Sequence, residues 1–244
     1  MSDKPDTVPG LGFKHPEKAL ESLKILEGRD PDYQKLAVKG LIGRAKRVLT
    51  LTKDKEKHQN ITDAIKTFDI FLKDFEKENR SKENRSYLPL DSIQALLPLR
   101  KQHKIEDKQS EEFLKAYKSV KGEYKNLRTV SSGENEPTWD IVRNVALKKL
   151  MKNIEENDPE MWKNELPTKE HMELILWAYS PDASKIKKNK EKFEDLLKNE
   201  QEDEVKDDEN YNDEEDEDER GIKRKSETSS ESSDEESPKK KTKT

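Results

Sequence analysis

Apolar side chains recur along the first 199 residues at spacings of three and four, which is the pattern of helices with one buried face. Ala19, Leu20, Leu23 and Leu26 predict a helix opened by Pro16 and stopped at Glu27 by Gly28. Asp30-Pro31 supplies an N-cap and a first-turn proline for a second helix. Its positions Tyr33, Leu36, Ala37, Gly40, Leu41, Ala45, Val48 and Leu49 keep the period to about Thr52. Gly40 and Gly43 each cost about 1 kcal/mol against Ala inside a helix, so the expectation is that a neighbouring helix approaches closely there. A third helix, Lys55 to Glu78, carries the longest stripe: Ile61, Ala64, Ile65, Phe68, Phe71, Leu72 and Phe75. Helices two and three are expected to pair as an antiparallel hairpin.

Residues 77–81 and 82–86 are a tandem duplication, Lys-Glu-Asn-Arg-Ser twice, with no apolar member, so an exposed linker is expected near 77–87. Beyond it the pattern predicts a short helix with Ile93, Leu96 and Leu97, kinked or ended by Pro98, then a helix from Lys108 to Leu127. Pro137 opens the next, with Trp139, Val142, Val145, Ala146, Leu150 and Ile154 inward. A turn holding Met161 and Trp162 precedes a helix from Thr168 to Tyr179 that is apolar nearly all round and is expected to be the buried spine of the second half. Ser180-Pro181 stops it, and a last helix with Ile186, Phe193, Leu196 and Leu197 runs to about Asn199. No run alternates as a strand does, so the expected class is all-α: an irregular bundle of about seven or eight helices over residues 11–199, after an unstructured lead-in at 1–10. Just beyond that lead-in, Leu11 and Phe13 are expected to pack on the first helix.

Composition changes this picture at the C-terminus. Of all residues 42% are charged and 29% hydrophobic. From Glu200 to Thr244 the only hydrophobic residues are Val205, Tyr211 and Ile222, too few to offset chain entropy, so residues 200–244 are expected to be a disordered tail. That tail holds 19 acidic residues against 9 Lys or Arg, net −10, whereas residues 1–199 hold 35 against 40, net +5. There is no cysteine, which excludes disulfides and thiolate zinc sites. Residues 1–30 lack the apolar run of a signal peptide, and no stretch reaches the length of a membrane span, so no membrane role is expected.

Catalytic and cofactor chemistry find little support. Gly10-Leu11-Gly12 lacks the lysine and the preceding strand of a phosphate loop, and His15, His58, His103 and His171 are too scattered for a metal site. His171, beside Glu170, is the best placed for acid–base work, but no nucleophile motif accompanies it and a capping or packing histidine is the commoner case at such a position. No enzyme activity, cofactor or metal is therefore expected. Lys35, Lys39, Arg44, Lys46 and Arg47 form a candidate anion-binding face on the second helix, helped by the lack of any Asp or Glu from Leu36 to Lys53. A plainly solvated face remains the commoner meaning of such a cluster.

The tail carries the more pointed signals. Lys223-Arg224-Lys225 and Lys239-Lys240-Lys241-Thr242-Lys243, separated by thirteen residues, form the pattern of a bipartite nuclear import signal, so an import receptor is an expected partner and the nucleus the expected location. Thr228, Ser232 and Ser233 each precede an acidic residue by three, and Ser237 precedes Pro238-Lys239, which makes the four candidate phosphorylation sites. The acidic block Asp203 to Glu219 suits a solubilising brush, a contact for basic partners, or a segment competing for the Arg44–Arg47 patch. The leading expectation is a non-enzymatic nuclear interaction or scaffold protein that binds an unidentified nuclear protein through its helical region. The alternative is a chromatin- or RNA-associated chaperone for histones or ribonucleoproteins, acting through the acidic block and the basic helix face.

Overall fold

The structure is a computed structural model and describes residues 7–197. Its class is all-α. The first three helices are α1 (Pro16–Leu26), α2 (Pro31–Leu51) and α3 (Lys55–Lys77). His15 caps α1 through its ring nitrogen, and the Asp54 carboxylate accepts the amides of Glu56 and Lys57 at the start of α3, a cap worth about 1 kcal/mol. The start of α2 lies beside the end of α3, because Lys35 reaches Glu76 at 3.5 Å, so the two helices are antiparallel. Ile61, Ala64, Ile65 and Phe68 of α3 meet Val38, Leu41, Ile42 and Ala45 of α2 and Ala19 and Leu26 of α1 in one apolar core. Each large apolar side chain buried there contributes about 1.5–3 kcal/mol. Leu11 and Phe13 pack on that core as expected, and order begins earlier than residue 11: Val8 is buried and its amide donates to the Tyr33 hydroxyl.

Several side chains depart from their expected places. Leu20 and Leu36 fit the helical period but sit on the outer edges of their stripes and are exposed. Gly40 and Gly43 do not mark a close helix approach, since a methyl group at either would meet open space. The segment near 77–87 is only partly an exposed linker. Its Ser81, Lys82 and Glu83 are exposed, but Arg80 stacks over Phe71 and Phe75, and Arg85, at the matching place in the second copy of the repeat, stacks over Tyr179. The duplicated arginines thus pin the segment to the first and second cores in turn.

The second half contains α4 (Leu90–Gln94), α5 (Leu97–Gln102), α6 (Lys108–Ser119), α7 (Trp139–Asn157), α8 (Lys169–Leu176) and α9 (Ala183–Lys188), with residues 190–197 also helical. Pro98 opens α5, where a missing amide hydrogen costs nothing. The helix expected to run to Leu127 ends at Ser119, because Lys121 and Gly122 take left-handed backbone angles, and the chain continues as a 3-10 turn, Tyr124–Thr129. Trp162 opens a small antiparallel hairpin, β1 (Trp162–Lys163) with β2 (Leu166–Pro167), and Met161 just before it accepts from the Thr168 amide. The spine expected from the sequence is present: Met172, Leu174, Ile175, Leu176 and Trp177 are all buried against Leu88, Leu96, Phe113, Tyr117, Trp139 and Phe193. Both cores belong to one unit that ends at Leu197. Among the described residues no helix is long and apolar enough to cross a membrane.

Candidate docking groove and basic helix face

The two apolar cores are joined by buried charge. Arg29, just after α1, donates from Nη1 to both oxygens of Asp140 at 3.1 and 2.8 Å, to the Arg128 carbonyl at 3.2 Å and to the Thr138 hydroxyl at 3.1 Å. One turn further along α7, the fully buried Arg143 donates to the carbonyls of Trp177 (2.9 Å) and Arg85 (3.1 Å) and lies 3.6 Å over the Tyr87 ring. Asn144 donates to the Gly28 carbonyl and to Asp30, which lies 3.9 Å from Arg143. Burial pushes the Asp30 carboxyl above its ordinary range, with the Arg143 cation partly offsetting. Tyr87 stacks on Tyr124, and Arg128 lies between Tyr124 and Tyr33, which extends the contact as alternating cations and rings.

This network sets the rotation of α7. Asp140, Arg143, Asn144 and Leu147 share one helical face: Asp140 and Asn144 reach the first half through Arg29, Gly28 and Asp30, and Arg143 turns to the carbonyls of Trp177 and Arg85. Ile141 lies at the edge of this face, beside Gly28, while Val142 and Ala146 on the other side pack partly against the second core. Val145, expected inward, is 63% exposed. It lies in a groove of about 790 Å³ whose apolar wall continues through Leu150, Ile105, Leu176 and Trp177. Charged side chains rim it: Lys149 on α7, Lys169 and Glu173 on α8, and Lys104, Glu106 and Asp107 on the turn before α6. Burial pushes the Glu173 carboxyl up, against the pull of Lys169. An apolar floor inside a polar rim suits the side chains of a peptide or helix.

His171 is not in the groove. It is buried beside the hairpin, with Nδ1 2.9 Å from the Met161 carbonyl and Nε2 2.8 Å from the Ser180 hydroxyl. The carbonyl can only accept, so Nδ1 carries the proton and Nε2 accepts from Ser180. Both ring nitrogens are committed to structural partners, and desolvation holds the ring below the usual histidine range. Among the described residues no group of His, Asp or Glu is placed to hold a metal ion.

The candidate anion-binding residues divide. Lys35 is engaged, near Glu76 and 5.7 Å over the Phe75 ring. Lys39, Arg44, Lys46 and Arg47 are exposed on the outer side of α2, and none of their side chains has an ion-pair partner among the described residues. The import residues Lys223, Arg224, Lys225, Lys239, Lys240, Lys241 and Lys243, the candidate phosphorylation sites Thr228, Ser232, Ser233 and Ser237, and the acidic block lie outside the described residues. Sequence reasoning missed Arg29, Asp140 and Arg143, since nothing in local spacing tells a buried charge from a solvated one when its partner is 111 residues away. No protein-family model and no curated protein sequence matches this chain.

Proposed function

We propose that this chain is a non-enzymatic interaction protein of the nucleus, whose helical unit takes a segment of a partner protein into the groove between α7, α8 and residues 104–109. The observation that carries the reading is Val145, an aliphatic side chain left 63% exposed along a groove that Leu176 and Trp177 also line. A soluble helix gains nothing from an outward Val, whereas a partner covering it gains the burial energy. The nuclear address rests on the paired basic clusters at Lys223–Lys225 and Lys239–Lys243, whose charge suits the acidic pockets of import receptors.

The test is capture from nuclear extract by the full chain bearing a photoreactive group at position 146, with and without Val145→Glu. A protein cross-linked in nuclease-treated extract and lost with Val145→Glu supports the reading. Nuclease-sensitive recovery of RNA or histones instead would replace it with the chromatin-associated one. For the address, replacing Lys223, Arg224, Lys225, Lys239, Lys240 and Lys241 together by Ala in a fusion too large to diffuse through the pore should leave the fusion cytoplasmic. Continued nuclear accumulation would assign the address elsewhere.

A further inference from the structure

The outward face of α2 has an organisation that the groove does not use. Leu36, Gly40, Gly43 and Arg47 follow one another at spacings of four, three and four, which puts them in a line along the helix. Leu36 is 69% exposed, and Leu51, one turn beyond Arg47, is 81% exposed. Between them the glycines leave bare backbone with open space above it. Lys39 and Lys46, seven residues apart, flank one side of this line, and Arg44 flanks the other. All four cations of the face are exposed, and no acidic residue occurs from Leu36 to Lys53. An ordinary solvated helix face mixes the two signs and avoids paired glycines, which weaken it.

We propose that this face is a docking seam for an acidic amphipathic helix of a partner protein. The seam has the spacing of a coiled-coil interface: Leu36 at one end, a low saddle at Gly40 and Gly43 where a second backbone can come close, Arg47 at the next seam position with Leu51 beside the line beyond it, and the cations Lys39, Arg44 and Lys46 at the flanking positions. Those flanking positions select the partner, since Glu or Asp opposite Lys39, Arg44 and Lys46 gains from each cation. A second copy of the same face is disfavoured because it would set like charges together. A nucleic acid would use the cations, but a phosphate backbone covers neither Leu36 nor the glycine saddle, and the line offers no aromatic ring for a base to stack on.

The probe is a synthetic helical peptide of about three heptads with Leu and Ala along its seam and Glu at the flanking positions, titrated into the full chain while amide resonances are followed. Its counterpart with Lys for Glu and a DNA duplex of similar length are titrated in parallel. The acidic peptide is expected to shift residues 36–51 and to bind at least tenfold more tightly than the basic one, with affinity falling as salt rises. Gly43→Leu fills the saddle and should weaken binding about tenfold without lowering the melting temperature, because the added side chain meets no neighbour. Lys39→Glu with Lys46→Glu should weaken it similarly. Val145→Glu should change nothing, which separates this surface from the groove. The proposal is overturned if the two peptides bind alike, if Gly43→Leu leaves binding intact, or if the duplex binds the same residues more tightly. Cross-links from position 50 into a second copy or into the chain's own Asp203–Glu219 block, in preference to the acidic peptide, would also overturn it.

Discussion

Arg29 and Asp140 form a forked ion pair in which one guanidinium nitrogen serves both carboxylate oxygens, with the two side chains only 7% and 0% exposed. It bridges the first apolar core to the second. Removing one partner leaves the other as a buried, uncompensated charge, which costs about 3–5 kcal/mol, whereas removing both costs much less than the sum. Asp140→Ala, Arg29→Met and the double variant, compared by urea unfolding, should show that non-additivity. Additive effects would mean that water already serves the two groups.

Arg143 makes a different use of its charge. Its guanidinium spans backbone carbonyls on two separate segments, at Trp177 and Arg85, while its carbon lies 3.6 Å from the centre of the Tyr87 ring. A lysine cannot reproduce a planar fork or that stacking, so Arg143→Lys should destabilise the fold by about 3 kcal/mol despite keeping the charge. Thermal or urea unfolding checks this, and a loss below about 1 kcal/mol would show that charge alone suffices.

The glycines separate into two kinds. Gly40 and Gly43 are helical and open, so Gly40→Ala and Gly43→Ala should each stabilise the chain by about 1 kcal/mol. Gly28 and Gly122 hold φ of +76° and +77°, and a Cβ at Gly28 would come within 3.1 Å of Ile141. Alanine at either should destabilise by about 1 kcal/mol or more. Melting temperatures of the four variants test the division.

His171 sets a pH dependence. Its folded-state affinity for a proton is depressed by desolvation, so the stability it contributes is fully present above its ordinary value of 6.5 and is lost as pH falls below that value, where the unfolded chain takes up the proton first. The slope is at most about 1.4 kcal/mol per pH unit. Asp30 and Glu173 act oppositely and lower down. Their raised values make stability fall as pH rises past the ordinary carboxylate range near 3.8 and 4.5. Denaturant melts between about pH 7.5 and 5.5 should therefore show wild type losing more stability than His171→Gln. Equal slopes in the two proteins would mean that the imidazole titrates alike in both states.

The α3 stripe of Ile61, Ala64, Ile65 and Phe68 and the α8 spine of Met172, Leu174, Ile175 and Trp177 are buried where their spacing put them, because burying a continuous apolar face is the dominant local constraint. The groove was not legible. It exists because Asp140 and Arg143 take the inward side of α7, and a pattern read only for apolar residues assigns that side to Val145.

What the sequence by itself determined was the all-α class, the order of the main helices and the sign and place of each charge block, since propensity, capping and periodicity act within a few residues of one another. What only the tertiary structure decided was where charge is buried, and with it the rotation of α7, the exposure of Val145 and the open saddle on α2. A buried ion pair, a stacked arginine or an uncovered glycine depends on segments brought together across a hundred residues, and the free energy of that meeting is written in no local pattern.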